Sequence, residues 1–144
     1  MKILLQRVHK AAVRVSGDTV SQIGRGILIY AGIEKEDDET CIEKLAKKVS
    51  QCRLFEDEGG KMNLSIQDVG GEILVVSEFT LAADVRKGTR PSFDTAKDPE
   101  TAREMMGKFS RLLKETGLTV KEGVFGAHMD VESVNDGPVT FLFE

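Results

Sequence analysis

Residues 75–93, VVSEFTLAADVRKGTRPSF, decide how the rest of the chain is read. The stretch opens as the end of an apolar run, Ile73-Leu74-Val75-Val76, whose length and β-branched content predict a buried strand. Ser77, Glu78 and Thr80 then interleave with Phe79 and Leu81, so the strand is expected to run over 72–81 with a polar end. Such an end can offer backbone N–H groups and hydroxyls to a ligand while its apolar residues hold it rigid. The loop that follows, Asp84-Val85-Arg86-Lys87-Gly88-Thr89-Arg90-Pro91, carries three cations within five positions. It suits phosphate or another anion, although composition alone reads first as a solvated surface loop.

Upstream, residues 2–15 alternate imperfectly between apolar and polar, which predicts a long strand with a bulge or register change near His9-Lys10. Arg7 falls inside it, and a lone strand arginine reads first as solvent-facing. Ser16-Gly17-Asp18-Thr19 is a turn into a second strand through Val20 and Ile23. Gly24-Arg25-Gly26 leads into a continuous apolar strand over 27–33, so its glycines precede a strand and not the helix of a nucleotide fingerprint. Asp37 or Asp38 is a helix N-cap, and Ile42, Leu45, Val49 and Cys52 mark the apolar face that follows. Leu54-Phe55 is a short extended piece, and residues 61–71 read as irregular.

Downstream, Asp98-Pro99-Glu100 is an N-cap, a first-turn proline and a first-turn acid. Met105, Phe109, Leu112 and Leu113 give that helix its buried face and Gly117 ends it. Residues 118–125, 129–134 and 139–143 read as closing strands, with Asn135-Asp136-Gly137-Pro138 joining the last two. The expected architecture is one α/β domain over residues 1–144. A large, mostly antiparallel sheet, strongly curved or barrel-like, is covered by two helices.

At 144 residues the chain is long enough for a real core. No run reaches the roughly 20 apolar residues of a membrane span, and residues 1–7 lack a signal peptide's apolar region and cleavage site. Cys41 and Cys52, eleven positions apart on one helical face, read as buried thiols of a reducing cytoplasm. His9 and His128 are isolated, so no metal site and no cofactor is expected. A net charge of −4 argues against gripping a long nucleic acid backbone, yet allows contact with a nucleic acid end.

No histidine or cysteine accompanies Thr80, and no GxSxG-type pattern supplies a base for a hydroxyl nucleophile. On spacing alone, Thr80 reads as a strand residue. Longer motifs say more. Ser77-Glu78-Phe79-Thr80-Leu81, then Lys87-Gly88-Thr89-Arg90-Pro91-Ser92-Phe93, then Asn135-Asp136-Gly137-Pro138-Val139-Thr140 resemble the D-aminoacyl-tRNA deacylases (the D-tyrosyl-tRNA deacylase family). Gln6-Arg7-Val8 with Ala11, Val13 and Val15 is similar to that family's opening strand.

The resemblance implies a homodimeric hydrolase that cleaves the ester between a D-amino acid, or mischarged glycine, and the 3′-terminal adenosine of tRNA. It implies that Ser77, Glu78, Phe79 and Thr80 line the pocket, with backbone N–H groups on the ester's oxyanion. Thr80 is then nucleophile or positioning group, and positioning is the preferred reading, with the tRNA 2′-OH helping to activate water. Gly137 and Pro138, joined by a cis peptide and entering the partner subunit's pocket, would be the chiral filter, and Arg7 would hold their loop. Only about 5–6% of X-Pro bonds in folded proteins are cis, so the resemblance reverses the ordinary expectation. Glu78 departs from the family's usual glutamine and suits a substrate ammonium. The alternative is a non-catalytic dimeric nucleic-acid-binding module with Lys87 and Arg90 on phosphates.

Overall fold

The computed structural model describes residues 1–86 and 88–144. Lys87, one of the two expected phosphate contacts, lies outside the described residues. The elements in order are strands β1 (Lys2–Val15), β2 (Asp18–Ile23) and β3 (Gly26–Gly32), and helix α1 (Glu39–Gln51). Then come β4 (Arg53–Glu56), β5 (Met62–Ser65) and β6 (Glu72–Ser77). A 3-10 turn (Phe79–Ala82), helix α2 (Pro99–Glu115), β7 (Thr119–Glu122) and β8 (Asp130–Phe143) complete the chain. No helix among the described residues is long and apolar enough to cross a membrane.

A mixed sheet, nearly closed into a barrel, carries six strands in the order β2-β1-β3-β6-β7, with β8 on the other side of β1. Its three pairs along β1 are antiparallel, and β3–β6 and β6–β7 are parallel. β4 and β5 form a separate antiparallel pair, so residues 61–71 are less irregular than their composition suggests. Asp68 accounts for part of this order: its carboxylate accepts from the backbone N–H and the hydroxyl of Ser65, both at 2.7 Å.

Period-two alternation sorts the core onto two faces. Ile27 and Ile29 of β3 and Ile73 and Val75 of β6 join Ile42, Leu45 and Val49 of α1 and Phe109 and Leu113 of α2. Leu28, Leu74 and Val76 point the other way, against Val8, Ala11, Val13 and Ile23. β1 therefore changes faces along its length. Ile3 and Leu5 lie in the first cluster while Ala11 and Val13, of the same parity, lie in the second. The register against β8 shifts between Gln6 and Val8 and again between Val8 and Lys10, where the sequence predicts a bulge.

The helices begin as expected. Asp38 caps α1 by accepting the Cys41 N–H at 2.8 Å, and Asp98 caps α2 from Thr101 N–H at 2.9 Å. Cys41 and Cys52 are only partly buried, and burial pushes both thiols up.

Three expectations about the sheet require correction. The strand over 72–81 stops at Ser77, because the chain turns at Glu78 and Leu81 N–H bonds back to the Glu78 carbonyl at 3.2 Å. The expected strand over 118–125 is only Thr119–Glu122, and Gly123 and Gly126 lie beyond it in a loop. The strands over 129–134 and 139–143 are one, β8, paired with β1 from Asp130 to Phe143. Asn135 faces Val8 and Thr140 faces Gln6, so four residues of β8 are extruded opposite Arg7 alone. Within that extrusion the Gly137–Pro138 peptide is cis. Gly137 has φ 138°, and a Cβ there would meet Val139 Cγ2 at 2.6 Å.

Gly26 is a second position that only glycine fits. A Cβ on it would lie 1.8 Å from the Glu72 carbonyl oxygen, a backbone atom of the parallel neighbour. Gly26→Ala is expected to destabilise the protein by about 3 kcal/mol, because β3 and β6 must separate at their start. Urea unfolding measures this, and an unchanged midpoint would contradict the close approach.

Candidate active site

β6 ends where the polar residues begin. Glu78 N–H still donates to the Ala31 carbonyl, at 2.8 Å, continuing the β3–β6 pairing by one step. The 3-10 turn that follows leaves the N–H groups of Phe79 and Thr80 without intrahelical acceptors. Gly32 permits this turn to sit against β3: a Cβ there would be 2.7 Å from the Glu78 carbonyl oxygen.

Ser77, Glu78 and Phe79 line one wall of a cleft of about 710 Å³. Ala31, Gly32 and Ile33 continue that wall, and the start of α2 with Lys97, Asp98 and Pro99 forms a second. The third comes from the β7–β8 loop, Phe125 to Met129. Thr80 stands outside the lining, exposed, with its hydroxyl donating to the Glu78 carboxylate. Phe79, expected as an apolar anchor, is instead 59% exposed; its ring lies 5.1 Å from that of Phe93 at 55°. The 3-10 turn rotates it out of the strand's alternation.

Glu78 also acts on Tyr30. Burial, and secondly the negative charge of Glu78, push the Tyr30 phenol up from its ordinary value. In the loop after the turn, Asp84 and Ser92 exchange backbone hydrogen bonds of 2.8 and 3.0 Å. Arg86 folds back on Asp84, with Nε and Nη2 at 2.9 and 2.7 Å from its carboxylate oxygens. That pair holds the Asp84 carboxyl well below the usual carboxylate range. The expected anion loop therefore has one of its cations already matched by a neighbour; Arg90 is exposed.

Arg7, Gly137 and Pro138 form a second group, and none of them lines the cleft. Arg7 is 4% exposed, against the solvent-facing reading of a lone strand arginine. Its Nη1 donates to the Leu54 carbonyl at 2.7 Å and its Nε to the Asp136 carbonyl at 3.2 Å. Gly137 and Pro138 are exposed at the tip of the β8 extrusion. The signal that could have buried Arg7 is parity, since it shares its face with Ile3 and Leu5. Phe125 and Met129 of the third wall read as strand ends, and His128 between them as an isolated histidine, so none carried a signal for a cleft. Among the described residues, no three histidine, cysteine or acidic side chains cluster closely enough to hold a metal ion.

Residues 4–144 match the D-Tyr-tRNA(Tyr) deacylase family. A D-aminoacyl-tRNA deacylase of Thermodesulfovibrio yellowstonii is 57% identical over 99% of this chain and 97% of its own length. One of Thermomicrobium roseum is 56% identical over all of this chain and 94% of its own. Among solved structures, a protein titled c-Myc DNA Unwinding Element Binding Protein superposes with a TM-score of 0.94. It is 43% identical and covers 100% of this chain and 98% of its own. A probable eukaryotic D-amino acid tRNA deacylase, 16% identical over 99% and 97% of the two chains, shares the fold with a TM-score of 0.83. The chain belongs to the D-Tyr-tRNA(Tyr) deacylase family. Its class is thereby that of a hydrolase of the D-aminoacyl-tRNA deacylase type.

The chain has one tyrosine and no tryptophan, so Tyr30 can be titrated alone by its ultraviolet absorbance. It should ionise above the ordinary tyrosine value of about 10. Glu78→Gln should lower that midpoint only in part, since burial is the larger cause and remains. A midpoint unmoved by the substitution would show that the carboxylate does not act on the phenol.

Proposed function

We propose that this chain hydrolyses the ester joining a D-amino acid to the 3′-terminal adenosine of tRNA, with glycine mischarged on tRNA as a further substrate. The observation that carries the chemistry is the 3-10 turn at the mouth of the cleft. It leaves the N–H groups of Phe79 and Thr80 as donors without intrahelical acceptors, on a backbone fixed by the β3–β6 pairing. Such donors stabilise the oxyanion that forms as water adds to the ester carbonyl. Catalysis needs no large positive surface for this, which agrees with the net charge of −4.

Thr80 acts as a positioning group. Its hydroxyl proton is directed at Glu78, so its lone pairs remain to accept from the terminal ribose or from water. The same hydrogen bond favours a second reading, in which Glu78 takes the proton and Thr80 attacks the ester. A carboxylate is a poor base for an aliphatic alcohol, which ranks that reading second. Glu78, half-buried and negatively charged, is also placed to pair with the substrate ammonium from the cleft wall.

Gly137 and Pro138 exclude L-substrates from the cleft of a second copy. Two observations support this. They do not line the cleft of their own chain, and their strand exposes Val134, Phe141 and Leu142 at 43%, 39% and 60%. An apolar edge of this kind suits a homodimer in which each subunit completes the other's site. Arg7 holds the loop from beneath. One domain of residues 1–144 carries the reaction, in the cytoplasm where charged tRNA is found.

The relative titled as a DNA-element binding protein keeps one further reading in view, a nucleic-acid-binding module without catalysis. The acidic chain and the closed Asp84–Arg86 pair weigh against it. Release of D- and L-tyrosine from matched charged tRNAs is the deciding assay, and the D-ester is expected to be cleaved about a hundredfold faster. Equal rates would refute the chiral filter, and tight salt-sensitive duplex binding without hydrolysis would favour the module.

Two substitutions separate the roles in the cleft. Thr80→Ala should keep appreciable turnover and suffer less than removal of the 2′-OH from the terminal adenosine, and an acyl group trapped on Thr80 would overturn this. Glu78→Gln should hold or raise turnover near neutral pH, measured by the same release assay. A collapse with the fold intact would show that the carboxylate itself is required.

A further inference from the structure

The four residues that β8 extrudes are gripped at both ends. At the far end the Asn135 side chain closes the neck. Its Oδ1 accepts the Val139 N–H at 2.8 Å, and its Nδ2 donates to the Val139 carbonyl at 3.4 Å and the Thr140 hydroxyl at 3.3 Å. At the near end stands Asp136, the residue before Gly137. Arg7 Nε lies 3.2 Å from its carbonyl oxygen and 3.1 Å from its Oδ2, while His9 Nε2 lies 3.5 Å from its Oδ1.

Behind this pair the guanidinium is tied to β4, through the Leu54 carbonyl at 2.7 Å and the Glu56 carboxylate at 3.6 Å. The Arg7 side chain is 5% exposed, and a charge so buried requires a counter-charge. Glu56 is distant and 56% exposed, so solvent screens it. Asp136, closer and 25% exposed, is the effective partner.

We infer that Asp136 is a positioning residue for stereoselectivity. Its carboxylate fixes the Arg7 guanidinium, and the pair sets the angle at which Gly137 and Pro138 leave the sheet. This rests on the reading of those two residues as the chiral filter. Gly137 and Pro138 have no register partner on β1, and no side-chain hydrogen bond reaches them among the described residues, so their direction is set by the flanking grips. A filter that works by contact loses rejection when its tip swings by about an ångström. The oxyanion donors lie on another element, the turn after β6, and stay where they are. Disturbing Asp136 should therefore relax rejection of the L-ester and leave the D-ester reaction nearly unchanged.

The experiment compares D- and L-tyrosyl-tRNA hydrolysis by the full chain, Asp136→Asn, Arg7→Lys and the double variant, with thermal unfolding alongside. Asn keeps the shape and removes the charge, and Lys replaces the planar fork by a point charge. Asp136→Asn should raise the L-to-D rate ratio about tenfold, with the D-rate within about threefold of the parent. The double variant should be no less selective than the worse single variant, because both break one link. Asp136→Glu, which keeps the charge on a longer arm, should shift the ratio even where Asp136→Asn fails to fold. An unchanged ratio in the folded variants, a parallel fall of both rates, or strict additivity with Arg7→Lys would each overturn the inference. A parent chain that fails to discriminate would instead refute the filter on which it rests, a result distinguishable from variants that discriminate as well as the parent.

Discussion

The rest of the structure depends on β1 being hydrogen-bonded along both of its edges. One edge pairs with β3 from Lys2 to Val8 and with β2 from Ala11 to Val15, and the other runs the length of β8. A strand shared in this way cannot shift register without breaking three partnerships, and a one-residue slip would turn its apolar residues outward. The irregularity at residues 6–10 is where the strand trades one core for the other, from Ile3 and Leu5 to Ala11 and Val13. Arg7 stands at that exchange. It has the parity of the first core and the chemistry of neither, so its guanidinium reaches backbone carbonyls of β4 and β8. The extrusion of β8 opposite it follows, because the space beside a guanidinium cannot be filled by regular ladder pairing.

The cleft derives its stiffness from the same sheet. β3 and β6 are parallel and apolar on both faces, as their continuous Ile, Leu and Val runs require. Their pairing runs one step past the end of β6, through Glu78 N–H, before the chain turns. The N–H groups of Phe79 and Thr80 thus project from the end of the buried β3–β6 pair, on a turn of four residues. Flexible side chains contribute little to that placement. The walls facing it come from the start of α2 and the β7–β8 loop.

The helices and the buried strands were legible in the sequence because each follows from a local rule. Asp38 and Asp98 cap their helices, and the 27–33 and 73–76 runs are too short and β-branched for anything but buried strands. What failed was decided by contacts distant in sequence. Nothing local distinguishes a strand over 72–81 from a strand that turns at Glu78, since the turn exists because Gly32 of β3 lets it approach. Asn-Asp-Gly-Pro reads as a hairpin, and only the continuous partner β1 makes it a detour within one strand. The motifs Ser77 to Leu81 and Asn135 to Thr140 located both groups of candidate site residues. The third wall of the cleft was invisible, because residues 118–125 and 129–134 on either side of Gly126 to His128 read as strands.

Electrostatics bound what the cleft can recognise. Arg86, in the loop after the turn, is matched by Asp84, and among the described residues the only lysine or arginine of the cleft lining is Lys97, beside Asp98. Such a lining offers few charges to neutralise the phosphates of a long nucleic acid, whose affinity comes from many such contacts. On the proposed reading of the cleft, the carboxylate of Glu78 would oppose one demand and meet another. A negative charge near an oxyanion raises the energy of the transition state, while the ammonium of an aminoacyl ester is attracted to it. The hydroxyl of Thr80 donates to Glu78, and on the same reading that bond would temper the carboxylate's charge beside the N–H donors of the turn. A glutamine at this position would remove both the repulsion and the attraction. The hydrogen bond from Thr80 thus ties the hydroxyl of the turn to the one carboxylate of its own 3-10 segment, Glu78 at its N-cap.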